Sequence, residues 1–162
     1  MYSFADGKLR SIDGMSRDEP RDPDYAARVR ASFARQAFMT TLGVEIMHLA
    51  PGEVDLGLSY RPDLTQQHGY FHAGVTTTLG DTAAGYAALS LFPKGTGVLT
   101  TELKINLLRP AQGRRLIARG RVIKPGRTLT ICQSDVFGES DGRETHVATL
   151  LLTMICLEGL EG

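Results

Sequence analysis

Apolar residues recur along this chain with two different periods, and the switch between them marks out its elements. Tyr25, Val29, Phe33 and Ala37 stand four apart, while Arg28, Arg30 and Arg35 fall outside that row. Such spacing gives one apolar helix face, with Pro23 near its first turn and Gly43 just past its end. The period then drops to two, in Val44 and Ile46 and again in Val54, Leu56, Leu58 and Tyr60, with Pro51-Gly52 between. That alternation predicts two strands joined by a turn. Further along, Leu99, Thr101, Leu103, Ile105 and Leu107 alternate with Thr100, Glu102, Lys104 and Asn106. Turns at 110–113, 125–126 and 140–142 lead into strands predicted over 115–123, 127–138 and 144–157. Connections this short favour antiparallel neighbours, since parallel strands need crossovers of about a dozen residues or more. A helix from about His72 to about Leu89, closed by Pro93 and Gly95, lies between the two groups of strands. The predicted order is α-β-β-α-β-β-β-β: an α+β domain over residues 23–162, preceded by a loose polar arm at 1–22.

The second helix departs from the usual pattern. Across residues 64–93 the carboxylate of Asp81 is the only charged side chain, although charged residues make up 22% of the chain. A surface helix carries one charged face, so this one is expected to be enclosed all round. It is also small-sided, with Ala73, Gly74, Gly80, Ala83, Ala84, Gly85, Ala87 and Ala88. Small residues let another backbone approach, and an antiparallel sheet wrapped around the helix accounts for both features. A carboxylate in that setting is costly unless it finds partners or holds a proton. Asp81 is therefore either a structural residue, bonded to nearby threonines or facing water at an oligomer seam, or a candidate base or nucleophile.

His72 lies nine residues before Asp81, about 2.5 turns and about 13.5 Å along a helix. Half a turn out of phase, the two cannot form a same-face acid–base pair. If both act, they serve different sites or meet across a two-fold dimer. His72-Ala73-Gly74 stands where the helix begins, and its unpaired N–H groups suit it to polarising a carbonyl oxygen. Gln66, Gln67, His68 and Gly69 run just upstream.

Composition narrows the field further. The chain has 162 residues, enough for one domain, and eighteen basic residues balance eighteen acidic ones. No global field recruits nucleic acid or membrane, so an anionic ligand needs a local basic patch. Cys132 and Cys156 form neither a framework nor a CxxC pair, which fits reduced thiols in a cytoplasmic protein. Neither a secretory leader nor an apolar run of about 18 residues is present to suggest export or a membrane span. His68 and His72 have the spacing of helical zinc ligands, but Gly69 interrupts the helix and no third ligand is near, so no metal is expected. A Ser-His-Asp hydrolase lacks its Gly-x-Ser-x-Gly elbow here.

The run QQHGYFHAGVTTTLGDTAAGYAAL, followed by GVLTTELKINLLRPAQG and GRTLTICQSDVF, resembles the hot-dog-fold acyl-CoA thioesterases of the phenylacetate-degradation type, over roughly residues 40–157. The resemblance implies a hot-dog fold, an antiparallel sheet around a central small-residue helix, here with an extra N-terminal helix. It implies hydrolysis of an acyl-CoA thioester to free acid and CoA, with Asp81 as nucleophile or general base. The Ala73 N–H would bind the oxyanion, and His72 would hold that loop. Gln66 stands where the family often has Asn, and Thr100 where some members carry Ser beside the catalytic Asp. By the same resemblance, Asp81 and Thr100 come from one subunit and Ala73 and Gln66 from the other, in a homodimer that pairs into a homotetramer. CoA is part of the substrate, and no cofactor is implied. Gly74, Lys104, Arg109, Lys124 and Arg127 are the positions considered for substrate and CoA contacts, Arg being well shaped for phosphate. Two departures stand out: the usual His-Gly-Gly is His72-Ala73-Gly74, and Gln replaces Asn. The His and Glu of a hot-dog dehydratase and the Asp–His pair of a hydratase are not seen. A non-catalytic acyl-CoA-binding or regulatory module is the alternative; it would keep the pocket but need no carboxylate.

Overall fold

The computed structural model describes residues 2–5, 8–11 and 19–160, with side chains from residue 19 onward. Strands β1 (Tyr2–Ala5) and β2 (Lys8–Ser11) pair antiparallel, so part of the arm expected to be loose is a two-stranded ribbon. Residues 1, 6–7 and 12–18 of that arm lie outside the described residues. At its end Asp22 is buried, 3.3 Å from the guanidinium of Arg28.

The single N-terminal helix expected from the four-residue row is two helices, α1 (Tyr25–Arg35) and α2 (Ala37–Leu42). Gln36 separates them in an extended conformation (φ −75°, ψ 90°), and its N–H turns back to Phe33 O. Gly43 closes α2 at φ 76°, a left-handed conformation that glycine adopts without strain. Arg28, off the apolar row, is turned inward and donates to the carbonyls of Leu89 (2.8 Å) and Phe92 (2.7 Å) and to that of Pro93. These bonds satisfy carbonyls at and just past the end of the central helix and tie α1 to it.

The remaining strands are β3 (Val44–Ala50), β4 (Glu53–Ser59), β5 (Thr96–Leu107), β6 (Arg115–Lys124), β7 (Leu129–Ser140) and β8 (Arg143–Glu158). They form one six-stranded antiparallel sheet in the order β3-β4-β6-β7-β8-β5. The expectation that β5 and β6 are neighbours is corrected: β6 pairs with β4, and β5 crosses to the far edge beside β8. A short connection bounds how far a chain can travel, but here the sheet curls enough for residues 108–114 to bridge its two sides.

Helix α3 (Ala73–Leu89) lies in the concave face. A Cβ on Gly80 would come 2.7 Å from Leu150 Cδ1, and one on Gly120 would meet the backbone of Ala83. Small residues thus set how closely helix and sheet approach. The helix is not enclosed all round, however. Leu79, Ala83, Ala84, Ala87 and Ala88 are buried against the sheet, whereas Gly74 is exposed and Thr78, Asp81, Thr82 and Gly85 are half-buried. One strip of α3, charged only at Asp81, is left uncovered.

A bulge in β5 completes the setting of the site. Thr100 and Leu103, three apart, pair with Met154 and Leu152, two apart, because the register shifts between Thr100 and Glu102. The extra residue reverses the side-chain parity. Thr100 and Leu103 therefore share the face toward α3, where strict alternation puts them on opposite faces. Lys104, opposite the exposed Leu151, points the other way. No helix among the described residues is long and apolar enough to cross a membrane. Cys132 and Cys156 are both free, and burial pushes the Cys132 thiol up to about 12.

Candidate active site

Asp81 projects from the uncovered strip of α3 toward β5, where Thr100 Oγ1 donates to its Oδ1 at 2.7 Å. The Thr100 hydroxyl also lies 3.4 Å from Met154 Sδ, but it has one proton and the carboxylate is the stronger acceptor. Burial raises the Asp81 carboxyl above the ordinary carboxylate range, and the Thr100 bond works against that rise. The carboxylate opens into a cavity of about 500 Å³ between α1, α3 and β5. A base made stronger by partial burial and facing a substrate-sized space can take a proton from water or attack a carbonyl carbon.

At the start of the helix the chemistry passes to the backbone. His72 caps α3 from an extended conformation (φ −62°, ψ 141°), and its Nδ1 accepts the Gly74 N–H at 2.9 Å. That bond assigns the ring proton to Nε2. A Cβ on Gly74 would stand 3.0 Å from His72 Nδ1, so a side chain there would crowd the cap. The loop is pinned by Phe71 N–H to Ala111 O (2.8 Å) and His72 N–H to Leu64 O (2.9 Å). Among the described residues no acceptor is paired with the Ala73 N–H, and Ala73 itself is exposed.

A second cavity, of about 490 Å³, holds Ala73 together with Gln66, Arg109, Leu107 and Leu108. Gln66 is oriented by its own turn: its side-chain oxygen accepts the His68 N–H, and its backbone bonds Tyr70 O (2.9 Å) and Gly69 N–H (3.0 Å). The Arg109 guanidinium is steadied by His146 O at 3.1 Å. His72 and Gly74 face a third space of about 430 Å³.

The sequence-derived residues thus fall into groups. Asp81 and Thr100 come together, and so do Gln66, Ala73 and Arg109, but among the described residues the two groups line different cavities. Of the four cations, Arg109 alone lines the cavity that holds Ala73. Lys104 points from the outer sheet face, and Lys124 and Arg127 lie toward the other end of α3, where Val122 N–H bonds Gly52 O and Gly52 N–H bonds Ser90, the cap residue of α3. His68 sits on the turn, with Nε2 3.3 Å from Gln67 Nε2 and no metal-holding cluster around it among the described residues. Tyr86 and Phe71 are buried; Tyr86 lines the Asp81 cavity and Phe71 the Ala73 cavity, beside the half-buried Tyr70.

Ser32, Gln36 and Leu160 also line the Asp81 cavity, and sequence reasoning missed them. Ser32 and Gln36 sit in and just past an amphipathic helix whose apolar row was the visible signal. Nothing in their spacing connects them with a carboxylate more than 40 residues away.

Comparison with known proteins gives consistent results. Residues 68–145 match the family model of the thioesterase superfamily. A solved structure of a thioesterase family protein from Silicibacter pomeroyi is 49% identical, with a TM-score of 0.82, covering 83% of this chain and 99% of that one. The Escherichia coli PaaI protein, from the phenylacetic acid degradation operon, shares the fold at 20% identity with a TM-score of 0.76, over 84% of this chain and 95% of that one. Among curated relatives, a Halobacterium salinarum protein named as a candidate esterase is 33% identical over 73% of this chain and 81% of its own. The 1,4-dihydroxy-2-naphthoyl-CoA hydrolase of Listeria monocytogenes is 25% identical over 62% of this chain and 82% of its own.

Proposed function

This chain belongs to the thioesterase superfamily, and from that premise we propose that it hydrolyses an acyl-CoA thioester to free acid and CoA at a site centred on Asp81. The observation that carries the reading is the half-buried Asp81 carboxylate, the one charge of its helix, held by Thr100 at the mouth of a cavity. Acting as general base, Asp81 takes a proton from water as the hydroxide attacks the thioester carbonyl. Acting as nucleophile, it forms an anhydride that water then opens. In either case negative charge develops on the carbonyl oxygen. The Ala73 N–H, at the positive end of α3, is the donor for it. Collapse of the tetrahedral intermediate expels the CoA thiolate, which leaves as the thiol after taking up a proton. The reaction draws on no cofactor.

The site is completed by a second copy of the chain, with Asp81 and Thr100 from one subunit and Ala73 and Gln66 from its partner. Three features support this. The two groups occupy separate cavities within one chain. Strand β5 is a twelve-residue edge, with Leu103, Leu107 and Leu108 exposed at or just beyond it, and such an edge is a ready pairing surface. The uncovered strip of α3 lacks charge apart from Asp81. Arg109, beside Ala73, is the residue we assign to a CoA phosphate. The dimers pair into a tetramer, as the family resemblance implies.

Measuring CoA release from a panel of acyl-CoAs tests the assignment. Asp81→Asn keeps the size of the side chain and removes its basicity. Its kcat is expected to fall about 10²–10⁴-fold. Full activity in this variant contradicts the role given to Asp81.

A further inference from the structure

Most of the close-packed glycines around α3 are accounted for by what they touch; Gly85 is not. Gly80 faces Leu150 and Gly120 faces the α3 backbone, but a Cβ on Gly85 would have no heavy atom within 4 Å. A glycine inside a helix costs stability relative to alanine, and no contact within the chain gives a reason for it here. Gly85 lies four residues after Asp81, on the same helix face one turn on. It lines the same cavity. The space that a side chain would fill is therefore part of the room in front of the carboxylate.

The far wall of that room is polar. Tyr86 OH and Ser32 Oγ stand 3.3 Å apart, with the Tyr86 ring fixed edge-on against Phe33 at 5.6 Å between centroids. Two hydroxyls carry two protons, and their mutual bond uses one. One hydroxyl proton is left over beside the cavity, which both residues line. Among the described residues no Lys, Arg or His lines the space, though the charge of Arg35 acts on the Tyr86 hydroxyl.

Resting on the thioesterase reading, we infer that the Asp81 cavity selects acyl groups larger than acetyl that end in a hydrogen-bonding group. Gly85 sets the size limit, and the Ser32–Tyr86 hydroxyl pair reads the polar end. Both are specificity residues and take no part in the proton transfers.

Three thioesters test this: acetyl-CoA, hexanoyl-CoA and omega-hydroxyhexanoyl-CoA. Wild type is expected to prefer the hydroxylated chain. Gly85→Val should lower the hexanoyl-to-acetyl ratio of kcat/KM about 100-fold, with Gly85→Ala intermediate. Tyr86→Phe and Ser32→Ala should each lower the hydroxyhexanoyl-to-hexanoyl ratio about tenfold. Thermal melting checks that each variant is folded, and the intermediate Gly85→Ala keeps the size argument decidable if Gly85→Val does not fold. Turnover by wild type with ratios unmoved by these substitutions overturns the inference while leaving the thioesterase assignment standing. No turnover of any of the three thioesters overturns both.

Discussion

The start of α3 and its middle belong to one helix but depend on the sequence in different ways. At the start, the group we assign to the reaction is a backbone N–H. What surrounds it is scaffolding: His72 bonded to Gly74, and Phe71 and His72 tied to Ala111 and Leu64. A backbone donor is present whatever the side chain, so Ala can stand where the resembling family has Gly. In the middle, the useful group is a side chain with a perturbed proton affinity. Its properties come from the burial around Asp81 and from the single hydroxyl of Thr100. Position 73 tolerates a change of side chain but not loss of its N–H; position 81 tolerates neither loss of charge nor a change of setting.

The largest effect that separates the two is Asp81→Asn, whose loss of turnover has an expected companion in stability. Because burial raises the folded-state pKa of Asp81, the native state binds more protons than the unfolded chain between the two pKa values. Stability then falls as pH rises through that window. At neutral pH Asp81→Asn should melt higher than wild type, with the gap closing as the pH drops below the ordinary carboxylate range.

Next comes Ala73→Pro. Proline is tolerated at the first position of a helix, and His72 already has the extended conformation that a residue before proline needs. The substitution should leave the fold intact and remove the proposed oxyanion donor, lowering kcat about 10²–10³-fold. Ala73→Gly keeps the N–H and should stay close to wild type.

Smaller is the effect of Thr100→Ala. Without its hydroxyl, burial acts on Asp81 unopposed, so the acid limb of the kcat–pH profile should move to higher pH. Thr100→Ser should restore it. An acid limb that does not move with Thr100→Ala argues that the profile reports another group.

The smallest contrast lies between the helix glycines. Gly85→Ala meets no neighbour and should stabilise by about 0.5–1 kcal/mol, read as a rise in melting temperature. Gly80→Ala crowds the buried Leu150 and should lower it, since overpacking costs about 1–3 kcal/mol.

Much of the fold was legible because both periods were clean. The central helix ends where the sequence predicts, and every strand of the large sheet coincides in part with a predicted run. What failed were properties that no local window contains. The break at Gln36 falls inside an unbroken apolar row. The crossing of β5 to β8 depends on the curl of the whole sheet. The bulge after Thr100 adds one residue that alternation cannot register. In the site, Asp81 stood out through the absence of charge around it, and the helix phase already separated it from His72. Ser32 and Gln36 were invisible because tertiary packing alone brings α1 to the cavity, and the roles of the open Gly85 and the packed Gly80 look alike in sequence.

The central claim is that Asp81 of one subunit works with Ala73 of another. Subunits carrying Asp81→Asn, mixed and exchanged with subunits carrying Ala73→Pro, form heterodimers in which one of the two sites receives both intact parts. Random exchange of equal amounts should return about one quarter of wild-type turnover, from parents that are each nearly inactive. No recovery after subunit exchange has been verified would contradict a site built across the interface.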